Sequence, residues 1–204
     1  RFPGVQALDD VSFGVAEGSI HALLGENGAG KSTLLKILSG AYRADHGTLR
    51  LGGQPCRFAS TAEAFAAGVA VIYQELHLVP DMTVAENLLL GHMPHHLGWL
   101  DKAAMREAAL RELTLLEEDI APTAKVRSLP IAQRQMVEIA KALLRNARVL
   151  AFDEPTSSLS DREVQRLFAI LRTLKQRGRS ILYVSHRLEE DFEVCDAVTV
   201  LRDG

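Results

Sequence analysis

The chain has 204 residues, 47% of them hydrophobic, and a formal net charge of −3. That is enough apolar material for one α/β core, or a core with an inserted subdomain, and it carries no basic excess to favour nucleic acid as the main partner. No apolar run approaches the roughly 18 residues of a membrane-spanning helix, and no signal peptide is visible. Cys56 and Cys195 lack metal-like spacing and read as reduced thiols.

Residues 1–52 read as strand-rich, with turn signals at Glu17-Gly18, His46-Gly47 and Gly52-Gly53. Within them Ile20-His21-Ala22-Leu23-Leu24 predicts a buried strand, and Thr33-Leu34-Leu35-Lys36-Ile37-Leu38 predicts a helix. Residues 60–67 suit a short helix capped by Ser60 or Thr61, with Glu63 nearby. Gly68 to Tyr73 reads as a buried strand. From 84 to 120 the pattern is helical and charged, most clearly from Lys102 to Glu118. A second helix runs from about Gln133 to Leu144, with Met136, Val137, Ile139, Ala140 and Leu143 on one broad face. Strand 148–152, helix 161–177 and strand 180–184 then alternate, and Val198-Thr199-Val200 reads as a further strand. Such alternation predicts a parallel sheet, with a core from 1–74 and 147–204 and a helical insert at about 75–146. Because the chain opens at Arg1 without an initiator Met and stops just past a strand, it reads as part of a longer chain.

Gly25-Glu26-Asn27-Gly28-Ala29-Gly30-Lys31-Ser32, followed by Thr33, is a G-x-x-x-x-G-K-S phosphate loop between that first strand and helix. Glycines let backbone N–H groups wrap closely round an anion, and the helix N-terminus adds positive potential there. Lys31 would reach the β- and γ-phosphates, and the Ser32 hydroxyl would ligate Mg²⁺. The expected ligand is a nucleoside triphosphate. One lysine gains only about 4 kcal/mol gross against a phosphate oxygen at an effective dielectric near 20. A carboxylate at a strand end is therefore expected, to hold the divalent ion. Ala147-Arg148-Val149-Leu150-Ala151-Phe152-Asp153-Glu154 supplies a short apolar strand ending in two acids. Strand alternation would point them different ways, with Asp153 on the metal and Glu154 as general base for the attacking water.

Three further stretches narrow the class. Tyr73-Gln74-Glu75 follows a strand, and the Gln74 amide can touch the Mg²⁺ shell or the water; alone it means nothing. Ser185-His186 follows another and could set an imidazole against the γ-phosphate, although a lone histidine is more often structural. Leu129-Pro130-Ile131-Ala132-Gln133-Arg134-Gln135 precedes the apolar helix. Together with Met82-Thr-Val-Ala-Glu-Asn-Leu88, Ala151-Phe-Asp-Glu-Pro-Thr-Ser-Ser-Leu-Ser160 and Ile181-Leu-Tyr-Val-Ser-His-Arg-Leu-Glu-Glu190, the set resembles the ATP-binding cassette family over essentially the whole chain. It looks nearest the sugar-import subgroup whose subunits carry two cassettes in one polypeptide, and within that to a first cassette.

The resemblance implies an α/β P-loop NTPase (RecA-like) core with a parallel sheet, an N-terminal antiparallel β part and an inserted α-helical subdomain. It implies ATP and Mg²⁺ as cofactors, and hydrolysis of ATP to drive uptake of a monosaccharide. L-Arabinose is the first choice, with ribose, xylose and galactose open. The implied partners are a second cassette, transmembrane permease subunits and, indirectly, a periplasmic sugar-binding protein, with no nucleic acid. The implied location is peripheral, on the cytoplasmic face of a bacterial inner membrane. Phe2 sits where the family stacks an aromatic ring on adenine, with a plain apolar cap as the alternative. A soluble cassette ATPase acting on ribosomes or DNA is the rival reading; it would be expected to show a basic surface or a long helical arm. A regulatory nucleotide binder would have no use for Glu154.

Two departures matter. The family signature has Ser at Pro130 and Gly at Ile131 and Ala132. Proline offers neither hydroxyl nor N–H donor, so the site completed by this loop is expected to be weakened. Ser160 stands where many cassettes have Asp. His92, His95 and His96 read as a solvated loop and Glu117-Glu118-Asp119 as a solvated helix end. Leu76, Leu78, Val79 and Leu88 are candidates for the permease contact, with subdomain packing as their default.

Overall fold

The computed structural model describes residues 6–96 and 98–204, and they divide into two units. The first comprises residues up to Gln74, Ala147–Ser157 and Gln165–Gly204. Its centre is a five-stranded sheet of β1 (Ile20–Gly25), β4 (Val69–Ile72), β7 (Val149–Asp153), β8 (Ser180–Val184) and β9 (Ala197–Leu201), in the order β4-β7-β8-β1-β9. Every pairing is parallel, with Ile20 opposite Ile181 and Asp153 opposite Val184. The inner strands are continuous apolar runs because both faces are covered. Ala22, Leu23, Leu150, Ala151, Phe152, Ile181 and Val184 are all buried.

Among the described residues of this unit the antiparallel part is one hairpin, β2 (Leu49–Leu51) with β3 (Gln54–Cys56), turning at Gly52-Gly53. Residues 6–19 carry no strand, although they were expected to be strand-rich. Val11, Phe13 and Val15 still alternate onto the core around Leu23, Leu35, Leu182 and Val184. The period of two is real there, but no ladder partner accompanies it among the described residues.

Helix α1 (Lys31–Leu38) packs on β1, β4 and β7, with Leu35 fully buried. A leucine buried in this way contributes about 1.5–3 kcal/mol. Helix α2 (Thr61–Ala66) is capped by Ser60, not Thr61. The Ser60 hydroxyl accepts from the Glu63 N–H, and Glu63 Oε2 accepts in return from the Ala59 N–H. Helix α6 (Asp161–Gln176) buries Leu167, Phe168, Leu171 and Leu174. Asp196 fastens three segments: it accepts from the Ile20 N–H at 2.8 Å and pairs with Lys175, so its pKa lies below the usual range. Helix α7 (Leu188–Val194) was not foreseen, since Glu189, Glu190 and Asp191 break the apolar signal in a first turn where acids suit the helix dipole.

The second unit, Glu75–Asn146 with Ser158–Val164, is helical. It is less continuous than the 84–120 pattern suggested. Helix α3 (Val84–Leu88) opens with a Thr83–Glu86 capping box, then a small hairpin pairs β5 (His95–His96) with β6 (Trp99–Leu100). Helix α4 (Lys102–Leu115) follows. Gly91, Pro94 and Gly98 interrupt the helical pattern between them. Helix α5 (Ile131–Leu144) starts two residues earlier than expected, directly after Pro130, and has no side-chain cap. Arg134 donates to the carbonyls of Leu129 and Arg127 and so braces the segment before it. Leu88 is completely buried, which removes it from any external contact, whereas Val79 is exposed. Asn87 explains the neighbouring turn: its side chain accepts from the Val79 N–H and donates to the Val79 and Thr83 carbonyls. Among the described residues no helix is long and apolar enough to cross a membrane.

Candidate active site

The residues singled out from the sequence follow the C-terminal ends of four neighbouring parallel strands. The phosphate loop leaves β1, Gln74 follows β4, Asp153 and Glu154 end β7, and His186 follows β8. Open parallel sheets bind ligands at that edge. Phe2 lies outside the described residues.

In the loop, Ala29 N–H closes a turn on the Glu26 carbonyl, and Leu34 N–H takes the Gly30 carbonyl as α1 begins. Gly30 is the N-cap at φ 100° with no side-chain hydrogen bond, so the first N–H groups of α1 are left for an external acceptor. A Cβ at Gly30 would stand 2.5 Å from the Ala7 carbonyl oxygen and 2.7 Å from Leu8 Cδ2, closer than atoms tolerate. A Cβ at Gly28, φ +87°, would meet nothing within 4 Å. The first glycine is thus required by the protein wall behind the loop, and the second leaves the opposite side open. Lys31 is only 6% exposed; its Nζ donates to the Gly25 carbonyl at 2.6 Å and the Glu26 carbonyl at 3.1 Å. These bonds hold the ammonium over the loop. Ser32, the next residue, is exposed.

Asp153 is half-buried, and desolvation followed by the charge of Glu154 raises its pKa; Lys31 and Lys36 pull it down. A carboxyl held up in this way gains from a nearby cation. Ser32, Gln74 and Asp153 all offer hard oxygen donors, which fits Mg²⁺. The expected alternation between the two acids is not what separates them. The strand ends at Asp153, and Glu154 has a left-handed φ of 49° while its N–H donates to the Val184 carbonyl at 3.0 Å. Its Oε2 then stands 3.4 Å from His186 Nδ1. Gln74 Nε2 donates to Ser157 Oγ at 3.3 Å, just beyond the acid pair.

Sequence reasoning missed what lies behind His186. Tyr183, Thr156, Glu190 and Asp191 form a buried polar cluster. Glu190 and Asp191 stand in the charged run Arg187-Leu-Glu-Glu-Asp-Phe-Glu193, so nothing local marks them as buried. Asp191 is 1% exposed, and neither of its carboxyl oxygens has a hydrogen-bond partner among the described residues. Burial and then the charge of Glu190 push its pKa up to about 6, with His186 acting in the opposite sense. Because the folded value lies above the usual 3.8, the native state binds this proton more tightly than the unfolded chain. Stability is therefore lost as pH rises from about 4 to about 6, and is level above that. Asp191→Asn is expected to raise stability by roughly 1–3 kcal/mol near pH 7.5, a gain of several degrees in thermal midpoint. The gain should vanish below about pH 4, where both states hold the proton. Thermal melts across this range check it; a gain independent of pH would remove the titration as its cause.

The ABC transporter family model matches residues 8–157. The chain is 63% identical over 203 residues to an arabinose import ATP-binding protein, AraG, of Pseudomonas savastanoi pv. phaseolicola, covering 100% of this chain and 40% of that protein. It is 60% identical to AraG of Azospirillum brasilense, covering 100% of this chain and 39% of that one. The chain thus spans about 40% of the length of these curated relatives. A nucleotide-free ATP-binding cassette from an ABC transporter superposes with a TM-score of 0.88 at 28% identity, over 100% of this chain and 85% of that chain. The ADP conformation of an ATP-binding cassette superposes at 0.87 and 28%, over 100% and 84%. With the glycine loop, the paired acids and the histidine brought to one edge of a parallel sheet, and a family match over most of its length, the chain belongs to the ABC transporter family.

Proposed function

We propose that this chain is an ATP-binding and ATP-hydrolysing cassette that energises import of a monosaccharide, L-arabinose first. The observation that carries the reading is the arrangement of Lys31, Asp153, Glu154 and His186 at the ends of β1, β7 and β8. The names of the two relatives above, at 63% and 60% identity over this chain, support the cargo class.

The backbone N–H groups of Gly28 and of Gly30 to Thr33 would donate to phosphate oxygens, with Gly25, Glu26, Asn27 and Ala29 forming the crown of the loop. Lys31 turns from its two carbonyls to the β- and γ-phosphates. Ser32, Asp153 and Gln74 would hold Mg²⁺, which when bound neutralises charge as the terminal phosphoryl group departs. Glu154 accepts a proton from the attacking water as its oxygen bonds the γ-phosphorus and the bridging P–O bond breaks, giving ADP and phosphate. His186, whose Nδ1 stands 3.4 Å from Glu154 Oε2, would orient that carboxylate and face the phosphoryl oxygens.

A second cassette, contributed by the rest of a longer polypeptide, would complete each site through its signature loop. Here that loop is Leu129 to Gln135 at the uncapped start of α5, and Pro130 makes the site it completes the weaker of the two. Permease subunits receive the resulting motion, at the cytoplasmic face of a bacterial inner membrane. The test is reconstitution of the full-length chain with its permease in vesicles. Hydrolysis is expected to rise several-fold when sugar-binding protein loaded with arabinose is added, and less with ribose, xylose or galactose. No stimulation by any of the four would overturn the import reading.

A further inference from the structure

Glu190 lies in the first turn of α7 and is 7% exposed, yet its carboxylate is fully engaged. Oε2 accepts from Thr156 Oγ1 at 2.8 Å and from the Tyr183 hydroxyl at 2.9 Å, and Oε1 accepts from Arg187 Nη1 at 3.1 Å. These donors come from three different places. Thr156 belongs to the turn that follows Glu154, Tyr183 to β8, and Arg187 is the residue after His186. Thr156 and Tyr183 are themselves buried, so water does not compete for these bonds. Charge-assisted bonds in such surroundings are about twice as strong as neutral ones.

The segments joined in this way are those that carry Glu154 and His186. Other bonds fix the backbone of each segment: Glu154 N–H donates to the Val184 carbonyl and Ser157 N–H to the Glu154 carbonyl, while Arg187 N–H donates to Ser185 Oγ at 2.8 Å and the Arg187 carbonyl accepts from the Glu190 N–H. Stabilising a buried acid alone would need donors from anywhere nearby; here two of the three come from the loops whose separation governs the 3.4 Å approach of Glu154 to His186.

We propose that Glu190 is a positioning residue that clamps the Thr156 turn to the His186 loop and so sets the rate of water activation, without touching nucleotide. The proposal rests on the assignment of Glu154 and His186 to hydrolysis. In Glu190→Gln the amide can keep its oxygen on Arg187 only by turning its N–H groups to the two hydroxyls, which must then accept instead of donate, so the negative charge is lost from every arm of the clamp while size is kept.

The test is a cycle of Glu190→Gln and His186→Ala in the full-length chain with its permease, read as single-turnover hydrolysis, KM and ATP-binding stoichiometry. Glu190→Gln alone is expected to slow hydrolysis about tenfold or more, with KM and stoichiometry within about twofold. In the His186→Ala background the same change should matter less than about twofold, because the clamp acts through that histidine. Ser32→Ala should slow both backgrounds by a similar factor, which shows that the rate is not at its floor. Thr156→Val, which keeps shape and removes one donor, is held to the same criterion and decides the matter if Glu190→Gln does not fold. Equal losses in both backgrounds, or a fall in stoichiometry matching the fall in rate, would overturn the clamp. Should His186→Ala and Glu154→Gln leave hydrolysis unchanged, the underlying site assignment fails instead.

Discussion

Glu154→Gln is expected to slow ATP hydrolysis by about 10²–10⁴-fold, the range a positioned general base contributes, while ATP still binds within about twofold of the original affinity. The substitution keeps the size of the side chain and leaves the left-handed backbone at φ 49° no more strained than before. It removes the group proposed to take the proton, and it leaves His186 Nδ1 facing an amide in place of a carboxylate. It has a second effect, on Asp153. The charge of Glu154 is the second cause of that residue's raised pKa, after desolvation. Removing it moves Asp153 back toward ordinary acidity, so the Mg²⁺ requirement of ATP binding should shift to lower concentration in mildly acidic buffer. Phosphate release and equilibrium ATP binding, measured on the same preparation, check both halves. Hydrolysis that survives the change undiminished would sink the assignment.

Lys31→Ala should weaken ATP binding by about 10- to 100-fold, from the loss of a charge-assisted hydrogen bond of about 1.5–3 kcal/mol. Its consequences reach the free protein as well. The Nζ bonds to the Gly25 and Glu26 carbonyls brace the loop, and deleting them leaves two carbonyls to find other donors. The loop is therefore expected to lose protection from hydrogen exchange even without nucleotide. Lys31→Arg should restore little, since the larger planar head has no room in a seat that is only 6% exposed. Titration calorimetry with ATP and Mg²⁺ measures the affinity, and unchanged binding in Lys31→Ala would remove the phosphate loop from the account.

The parallel sheet was legible because its strands are unbroken apolar runs and the loops after them carry unusual residues at fixed spacing. Val149 to Asp153 illustrates this: Leu150-Ala151-Phe152 before two acids reads as a covered strand ending at a polar edge, and the strand ends at Asp153. The helical unit was harder to read. A charged pattern from 84 to 120 looks much the same whether or not Gly91, Pro94 and Gly98 interrupt it, so the hairpin at His95–His96 and Trp99–Leu100 was hidden inside it. Helix α7 was invisible for a different reason. Its inward-facing side includes Glu190 and Asp191, and a polar residue buried by tertiary partners far away in the chain has no local signature. The separation of Asp153 from Glu154 was expected from strand alternation and turned out to arise from a left-handed turn, which only three-dimensional pairing with Val184 could reveal.

The glycine-rich segment is made well before β8 and β9, in which β1 finds its ladder partners, where Ile20 meets Ile181 and Gly25 meets Leu201. A ribosome must therefore finish most of this domain before the bed beneath that segment exists. Parallel pairings of such sequence separation form slowly, and until they do the nascent chain has an exposed apolar strand and no seat for a triphosphate. Cellular ATP can then act on completed molecules alone, drawing them out of the pool that chaperones and proteases sample.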